Sequence, residues 1–287
     1  GQGLGVQEAV TIIEEIGMGG GWWMTNNVAR TPVFLAKTIE EHGTSRQRER
    51  WLPPIASGDV QFAMAVTEPN AGLNTTAIET TATRDGDEFV IDGQKTWISS
   101  VEDADQVVVL TRTTPLAEAS KKSRGMTIFM LDPDDPAVEY EEIPTDLTFN
   151  DRTYNIYLDD VRVDESKVLG TVDEGLYHIF DTLNIERITI SAHILTLGRY
   201  ALDMAVEYAN DREVFDAPIG SHQAIQHPLA EAYADIEAAE LLVQKGAWMH
   251  DAGRDLGSIA NLAKLKAAEA AWKASEAAMT TFAGMSA

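Results

Sequence analysis

Residues 81–100, TATRDGDEFVIDGQKTWISS, set the period of the middle of the chain. Apolar and β-branched residues alternate with polar ones around two Asp-Gly pairs, at 85–86 and 92–93. That pattern predicts strand, turn, strand, turn, strand, a meander. The segments DQVVVLTRT, GMTIFMLD, VEYEEIP and RTYNIYLDDVRV read as further short strands separated by turn residues, so a period of two runs from about 61 to 170. An antiparallel β domain is expected there. Alternation sets Trp97 and Ser99 on one face, where an aromatic plate and a hydroxyl donor could address one ligand. A core tryptophan beside a surface serine is the plainer reading.

Both flanks have helical periodicity. VQEAVTIIEEIGMG places Val6, Val10, Ile13 and Ile16 at helical spacing, and a second helical stretch follows Thr31-Pro32. GTSRQRERWLPPIASGD is expected to stop it with two prolines and a Ser-Gly-Asp turn. After Gly170 helices return at 174–211, 222–252 and 255–281, the first two separated by REVFDAPIGS. The expected class is α+β in three parts: a helical domain at 1–60, a central antiparallel β domain at 61–170 and an up-down helical bundle at 171–287. Without βαβ alternation a Rossmann sheet is disfavoured. The opening GQGLGV has no preceding strand and misplaces its third glycine, so it is not read as a dinucleotide fingerprint.

Composition narrows the function. The 287 residues, 44% of them hydrophobic, suffice for folded cores. Cysteine is absent, which excludes disulfides and thiolate chemistry, and the six histidines show no metal-ligand spacing. No metal site is expected. Acids number 46 against 22 bases, only nine of them lysine, for a net charge of −24. Nucleic-acid phosphates and anionic lipid repel such a surface. A lysine-poor acidic surface also suits a high-salt cytoplasm, although an ordinary acidic enzyme is the simpler alternative. No long apolar run or signal-peptide pattern is present, and a cytoplasmic address is expected.

The loop AVTEPNAGLNTT at 65–76 carries Pro69, Asn70 and Gly72, an irregular path expected to turn backbone N–H groups and the Thr67 hydroxyl outward. Such groups suit the polar edge of a planar cofactor ring. Together, TEPNAG, DGQKTWIS, VRVDESKVLG, the Glu-Arg pair inside a long helix and REVFDAPIGSHQAIQ make the chain resemble the acyl-CoA dehydrogenase family of flavoproteins. The resemblance runs from about residue 5 to the last residue. It implies a helical domain, a β domain and a four-helix bundle, assembled as a homotetramer with FAD between subunits.

By that resemblance Val66 and Thr67 contact the pyrimidine side of the flavin, and Trp97 and Ser99 lie near the ring with a hydrogen bond toward N5 and O4. Arg212 and Phe215 match the residues that hold the pyrophosphate and adenosine of a neighbouring subunit's FAD, and Gln223 a further contact. Leu73, Asn184 and Arg187 match positions around the acyl-CoA. The implied reaction removes a proton beside a thioester carbonyl and a hydride from the next carbon, giving a 2-enoyl-CoA, with electrons passed to an electron-transferring flavoprotein. In some members the base is a glutamate just before the helix arginine, the place of Glu186; in most it follows a GGxGY-like turn, which here would fall beyond Ala287. Both remain open. The resemblance further implies that the first helices and the last bundle helix lie outside this sequence. Leu73 and Asn74 replace a serine and an aspartate common in the family, and Asp216 a glycine. An oxidase, a flavin monooxygenase, an enoyl-CoA reductase or a non-catalytic flavin binder of the same fold are the alternatives.

Overall fold

The computed structural model describes residues 3–21, 29–146 and 152–286. Gly1 and Gln2 of the glycine-rich opening and the terminal Ala287 lie outside the described residues. The chain divides into two compact units, Phe34–Thr182 and Gly1–Val33 with Leu183–Ala287.

The first of these begins with α2 (Ala36–His42) and α3 (Ser45–Ser57). Thr44 caps α3 reciprocally: its Oγ1 accepts the Gln47 N–H at 3.2 Å and its own N–H donates to Gln47 Oε1 at 2.8 Å. Pro53 and Pro54 do not end the helical segment, as the sequence suggested; they lie inside α3. Each proline removes one helix hydrogen bond. Burial of Trp51 and Ile55 outweighs that loss, with Trp51 edge-on to Phe62 at 5.3 Å. Gly58, at φ +80° and bonded back to Ile55 and Pro54, stops the helix.

The sheet follows, with β1 (Phe62–Ala65), β2 (Thr81–Asp85), β3 (Glu88–Ser99), β4 (Gln106–Arg112), β5 (Met126–Leu131), β6 (Val138–Glu142), β7 (Thr153–Asp164) and β8 (Val168–Leu169). Its order is β6-β7-β3-β2-β4-β5-β8. Antiparallel pairs dominate, while β4 runs parallel to β1 and, at Thr81–Arg112, to β2. Strands β4 and β5 are buried at every position, which accounts for their unbroken apolar runs. Phe89, Ile91, Ile98, Val109, Phe129 and Ile156 form the centre of this core, each worth about 1.5–3 kcal/mol of burial.

Asp85-Gly86 does turn the chain, with Gly86 at φ +64°. Asp92-Gly93 does not. Strand β3 continues through it, and only its register against β7 shifts between Ile91 and Gly93. Gly93 sits at φ +148°, and a Cβ there would fall 2.6 Å from the Thr80 Cα. The glycine therefore serves a close backbone approach inside a bulged strand rather than a turn.

The second unit is helical: α1 (Val6–Ile16), most of α4 (Gly175–Asp211), α5 (Gln223–Asp251) and α6 (Gly257–Phe282). Val6, Val10 and Ile13 of α1 join one core with Ile185, Ile188, Leu195, Ile236 and Val243. Asp251 accepts the Val6 and Gln7 N–H groups at 2.8 and 3.0 Å and so satisfies the start of α1. In α6 the buried residues include Ala260, Ala263, Ala267, Ala270, Ala271, Ala274, Ala277 and Ala278, a small-residue stripe at helical spacing. Gly198 meets that stripe where an added Cβ would lie 2.8 Å from the Ala271 Cα. A hairpin, β9 (Glu213–Val214) with β10 (Ala217–Pro218), joins α4 to α5. Its two turn residues, Phe215 and Asp216, have φ of +58° and +60°, the signs a type I′ turn requires.

Candidate functional site

In the β unit the loop after β1 is laced to β3. Thr96 donates its N–H to the Thr67 carbonyl at 3.0 Å, and the Thr67 hydroxyl donates to the Thr96 carbonyl at 2.5 Å. The hydroxyl expected to face outward is turned to the strand instead, because the strand carbonyl competes for its proton. Beneath the lace Lys95, 0% exposed, donates to Glu68 at 2.8 Å and to the Val66 carbonyl at 3.1 Å. Glu68 also accepts the Glu79 and Thr80 N–H groups at 2.6 and 3.0 Å. Burial pushes the Lys95 ammonium down to about 8 against the pull of Glu68. For Glu68 burial is the largest single influence and acts upward, yet Lys95 and the donated N–H groups together hold the carboxyl below its ordinary value. Both residues lie inside the motifs the sequence offers, but nothing in spacing marks them as a pair.

Trp97, the residue after Thr96, has φ +61° and is 61% exposed. The register of β3 against β7 shifts between Lys95 and Ile98, so strict alternation fails there and does not place Trp97 with Ser99. Ser99 is half-buried and pairs with Thr153. A left-handed tryptophan costs about 1–3 kcal/mol and persists only where its surroundings over-determine it. Buried Ile98 and the Thr96 hydroxyl, which donates to Asn155 Oδ1 at 2.7 Å, supply that constraint. Val66 is half-buried, and Leu73 projects fully into solvent from the loop.

In the helical unit Glu186 sits on α4 between buried Ile185 and half-buried Arg187. Among the described residues no hydrogen bond or ion pair reaches its carboxylate. Burial raises its pKa, with Lys264 and then Arg187 pulling the other way. Asn184 Oδ1 accepts from Arg187 Nη1 at 2.9 Å, one turn along the same helix. At the hairpin, Phe215 is 88% exposed, and exposed Arg212 has no ion pair among the described residues. Gln223 is exposed at the first position of α5.

A cluster that spacing does not show joins His42, His178 and Asp181, whose ligand-type atoms lie within 4.8 Å of one another. The two rings stack at 4.1 Å, and His178 Nε2 accepts the Thr171 N–H. Stacked rings set their in-plane lone pairs side by side rather than convergent on one point. Burial, followed by the neighbouring His42, lowers the His178 pKa.

Three family models cover the chain: the N-terminal, middle and C-terminal domains of acyl-CoA dehydrogenase match residues 1–59, 63–161 and 173–287. An acyl-CoA dehydrogenase of Mycobacterium bovis is 38% identical over 286 residues, 99% of this chain and 72% of that protein. The chain belongs to the acyl-CoA dehydrogenase family. Members are FAD-dependent oxidoreductases. A 3-(aryl)acrylate reductase of Clostridium sporogenes is 34% identical over 278 residues, 94% of this chain and 71% of that protein. The butyryl-CoA dehydrogenase structure from Megasphaera elsdenii superposes with a TM-score of 0.92 at 29% identity, covering 99% of this chain and 74% of that one. For this acyl-CoA dehydrogenase family member, no helix among the described residues is long and apolar enough to cross a membrane.

Proposed function

We propose that the protein dehydrogenates an acyl-CoA thioester between its α and β carbons, giving a 2-enoyl-CoA, with Glu186 as the base. The observation that carries this reading is a half-buried glutamate with a raised pKa and no ion-pair partner among the described residues. A carboxylate kept unpaired in poor solvent is a stronger base than one in water, which matches it to an α-proton acidified by the thioester. Arg187 donates to Asn184 rather than to Glu186, so its charge acts on the Glu186 carboxylate without a direct hydrogen bond among the described residues.

The chemistry of the remaining residues fits FAD. An exposed, conformationally fixed Trp97 and the backbone of Val66 and Thr67 present a flat apolar surface and polar edge to a flavin, with Ser99 as a donor near by. Exposed Arg212, Phe215 and Gln223 offer a guanidinium with no ion pair among the described residues, a ring and an amide to the pyrophosphate and adenosine, which a planar fork and an aromatic face recognise well. When bound, FAD supplies the two-electron acceptor. In this reading Asn184 and Arg187 of the helical unit are acyl-CoA contacts, and so is Leu73 of the β unit. Three domains at 1–60, 61–170 and 171–287, a cytoplasmic homotetramer, and an electron-transferring flavoprotein as acceptor complete it.

The test is anaerobic bleaching of the flavin absorbance by a panel of acyl-CoAs. Bleaching is expected for the wild type, while Glu186→Gln retains FAD and loses bleaching by a factor of about 100 or more, the usual contribution of a positioned base. Near-wild-type bleaching by that variant places the base elsewhere, including beyond Ala287. Oxygen consumption in place of bleaching identifies an oxidase or monooxygenase. Flavin reoxidation by an enoyl substrate with no acyl-CoA bleaching identifies a reductase.

A further inference from the structure

Among the described residues of the β unit, no other ion pair has both side chains as fully buried as Lys95 and Glu68, at 0% and 5% exposure. Such a pair is an expensive way to hold a sheet together, since an apolar pair of the same volume is commonly as stable or more so. What an apolar pair lacks is direction. Glu68 Oε1 receives Lys95 Nζ and the Thr80 N–H, Oε2 receives the Glu79 N–H, and the Glu68 backbone exchanges both hydrogen bonds with Ala71 at 3.1 Å. With the glutamate fixed this way, Lys95 has one further bond, to the Val66 carbonyl at 3.1 Å. The residue after Lys95 is Thr96, bonded on both sides to Thr67, and the residue after that is the left-handed Trp97.

We infer that the buried Lys95–Glu68 pair is a positioning device, which fixes the Val66–Thr67 backbone edge and the bulge at Trp97 relative to each other so that both address one planar ligand. The inference rests on reading Val66, Thr67 and Trp97 as flavin contacts. Neither Lys95 nor Glu68 touches the cofactor in this account. Lys95 acts through the Val66 carbonyl and through its covalent neighbours, and Glu68 acts by orienting Lys95. Within this unit the pair is the point at which the 66–68 loop and the 95–97 bulge share a charged contact.

The experiment separates direction from mere charge. Lys95→Met alone strands a buried carboxylate and so confounds folding with binding; Glu68→Gln alone removes the counter-charge, so the buried Lys95 sheds its proton, but its amine still has N–H groups to donate to the Val66 carbonyl. The informative comparison is Glu68→Gln against Glu68→Gln/Lys95→Met. Apoprotein unfolding midpoints, FAD dissociation constants from flavin fluorescence quenching, and visible circular dichroism of the bound flavin are measured for each. The double variant is expected to match or exceed the single in unfolding midpoint, yet to bind FAD about tenfold more weakly, the effect of one lost hydrogen bond. Its flavin circular dichroism bands should change in sign or amplitude. Equal FAD affinity and an identical flavin spectrum in the two variants would overturn the positioning role. So would failure of both to fold, which makes the pair a structural element of the sheet alone. A wild-type protein that takes up no FAD removes the underlying flavin reading instead, an outcome distinct from both.

Discussion

Glu14 on α1 faces Arg199, which donates to Glu240 at 2.6 and 2.8 Å and to Glu237 at 2.6 Å. Burial first, then the charge of Glu240, push the Glu14 carboxyl up to about 7, while Arg199 pulls it down. Because its folded pKa lies above the unfolded value of 4.5, the ionised form opposes folding. That cost is absent below about 4.5, grows as the pH rises toward about 7 and is complete above it. Glu14→Gln should therefore raise the unfolding midpoint at pH 8, by on the order of 1 kcal/mol after solvent screening, and leave it unchanged at pH 4.5. A lower midpoint at pH 8 would show that the carboxylate is stabilised by Arg199 more than burial opposes it. The same sign applies to Glu186, whose upward shift means that the amide variant should not destabilise the fold at pH 8. At this scale the sequence could place Glu186 beside Arg187 and within reach of apolar neighbours. Its lack of a partner among the described residues depends on where the Lys264 and Arg187 side chains go, and Glu14 feels Arg199 only because α1 packs beside a residue 185 positions later.

Elements show most directly where local signals fail. Asp85-Gly86 and Asp92-Gly93 are the same dipeptide, yet one turns the chain and the other lies in a continuous strand. Thr80 decides the difference, since its backbone approaches too closely for any side chain at position 93. Two prolines in α3 are tolerated because Trp51 and Ile55 are buried beside them. Helix contacts in the second unit can be tested in the same terms. Gly198→Val drives a branched side chain into the Ala271 backbone, where no side chain rotation relieves the clash. It should cost about 2 kcal/mol, the usual size of an overpacking penalty, read as a lower midpoint in chemical denaturation. An unchanged midpoint would mean that α4 and α6 separate without loss and that the small-residue stripe is not a close contact. The alanine spacing in α6 announces a narrow face, but its partner glycine is 73 residues upstream and carries no sign of the match.

Over the whole molecule the dominant quantity is a net charge of −24. Exposed pairs such as Arg84–Glu165 and Arg162–Asp85 are worth little individually and do not offset the excess of acids. Raising KCl from 0.1 M to 1 M shortens the screening length from about 10 Å to about 3 Å, which removes most of the repulsion between surface carboxylates. The unfolding midpoint should rise over that range if the surface is adapted to high salt; indifference to KCl would favour an ordinary acidic enzyme. Composition, the change of period from 3.6 to 2 and back, and the motifs around 65–76, 92–99 and 212–223 were enough to identify the class of fold and the family. Those features are local: they depend on which side chains recur along a helix or strand, and a one-dimensional record preserves them. Only the tertiary structure decided that Asp92-Gly93 continues a strand, that Trp97 is forced outward at a bulge, that Thr67 gives its proton to Thr96, and that Lys95 is sealed against Glu68. Each of those depends on backbone from a distant segment arriving within hydrogen-bond or van der Waals range, and no residue's neighbours in sequence carry that distance.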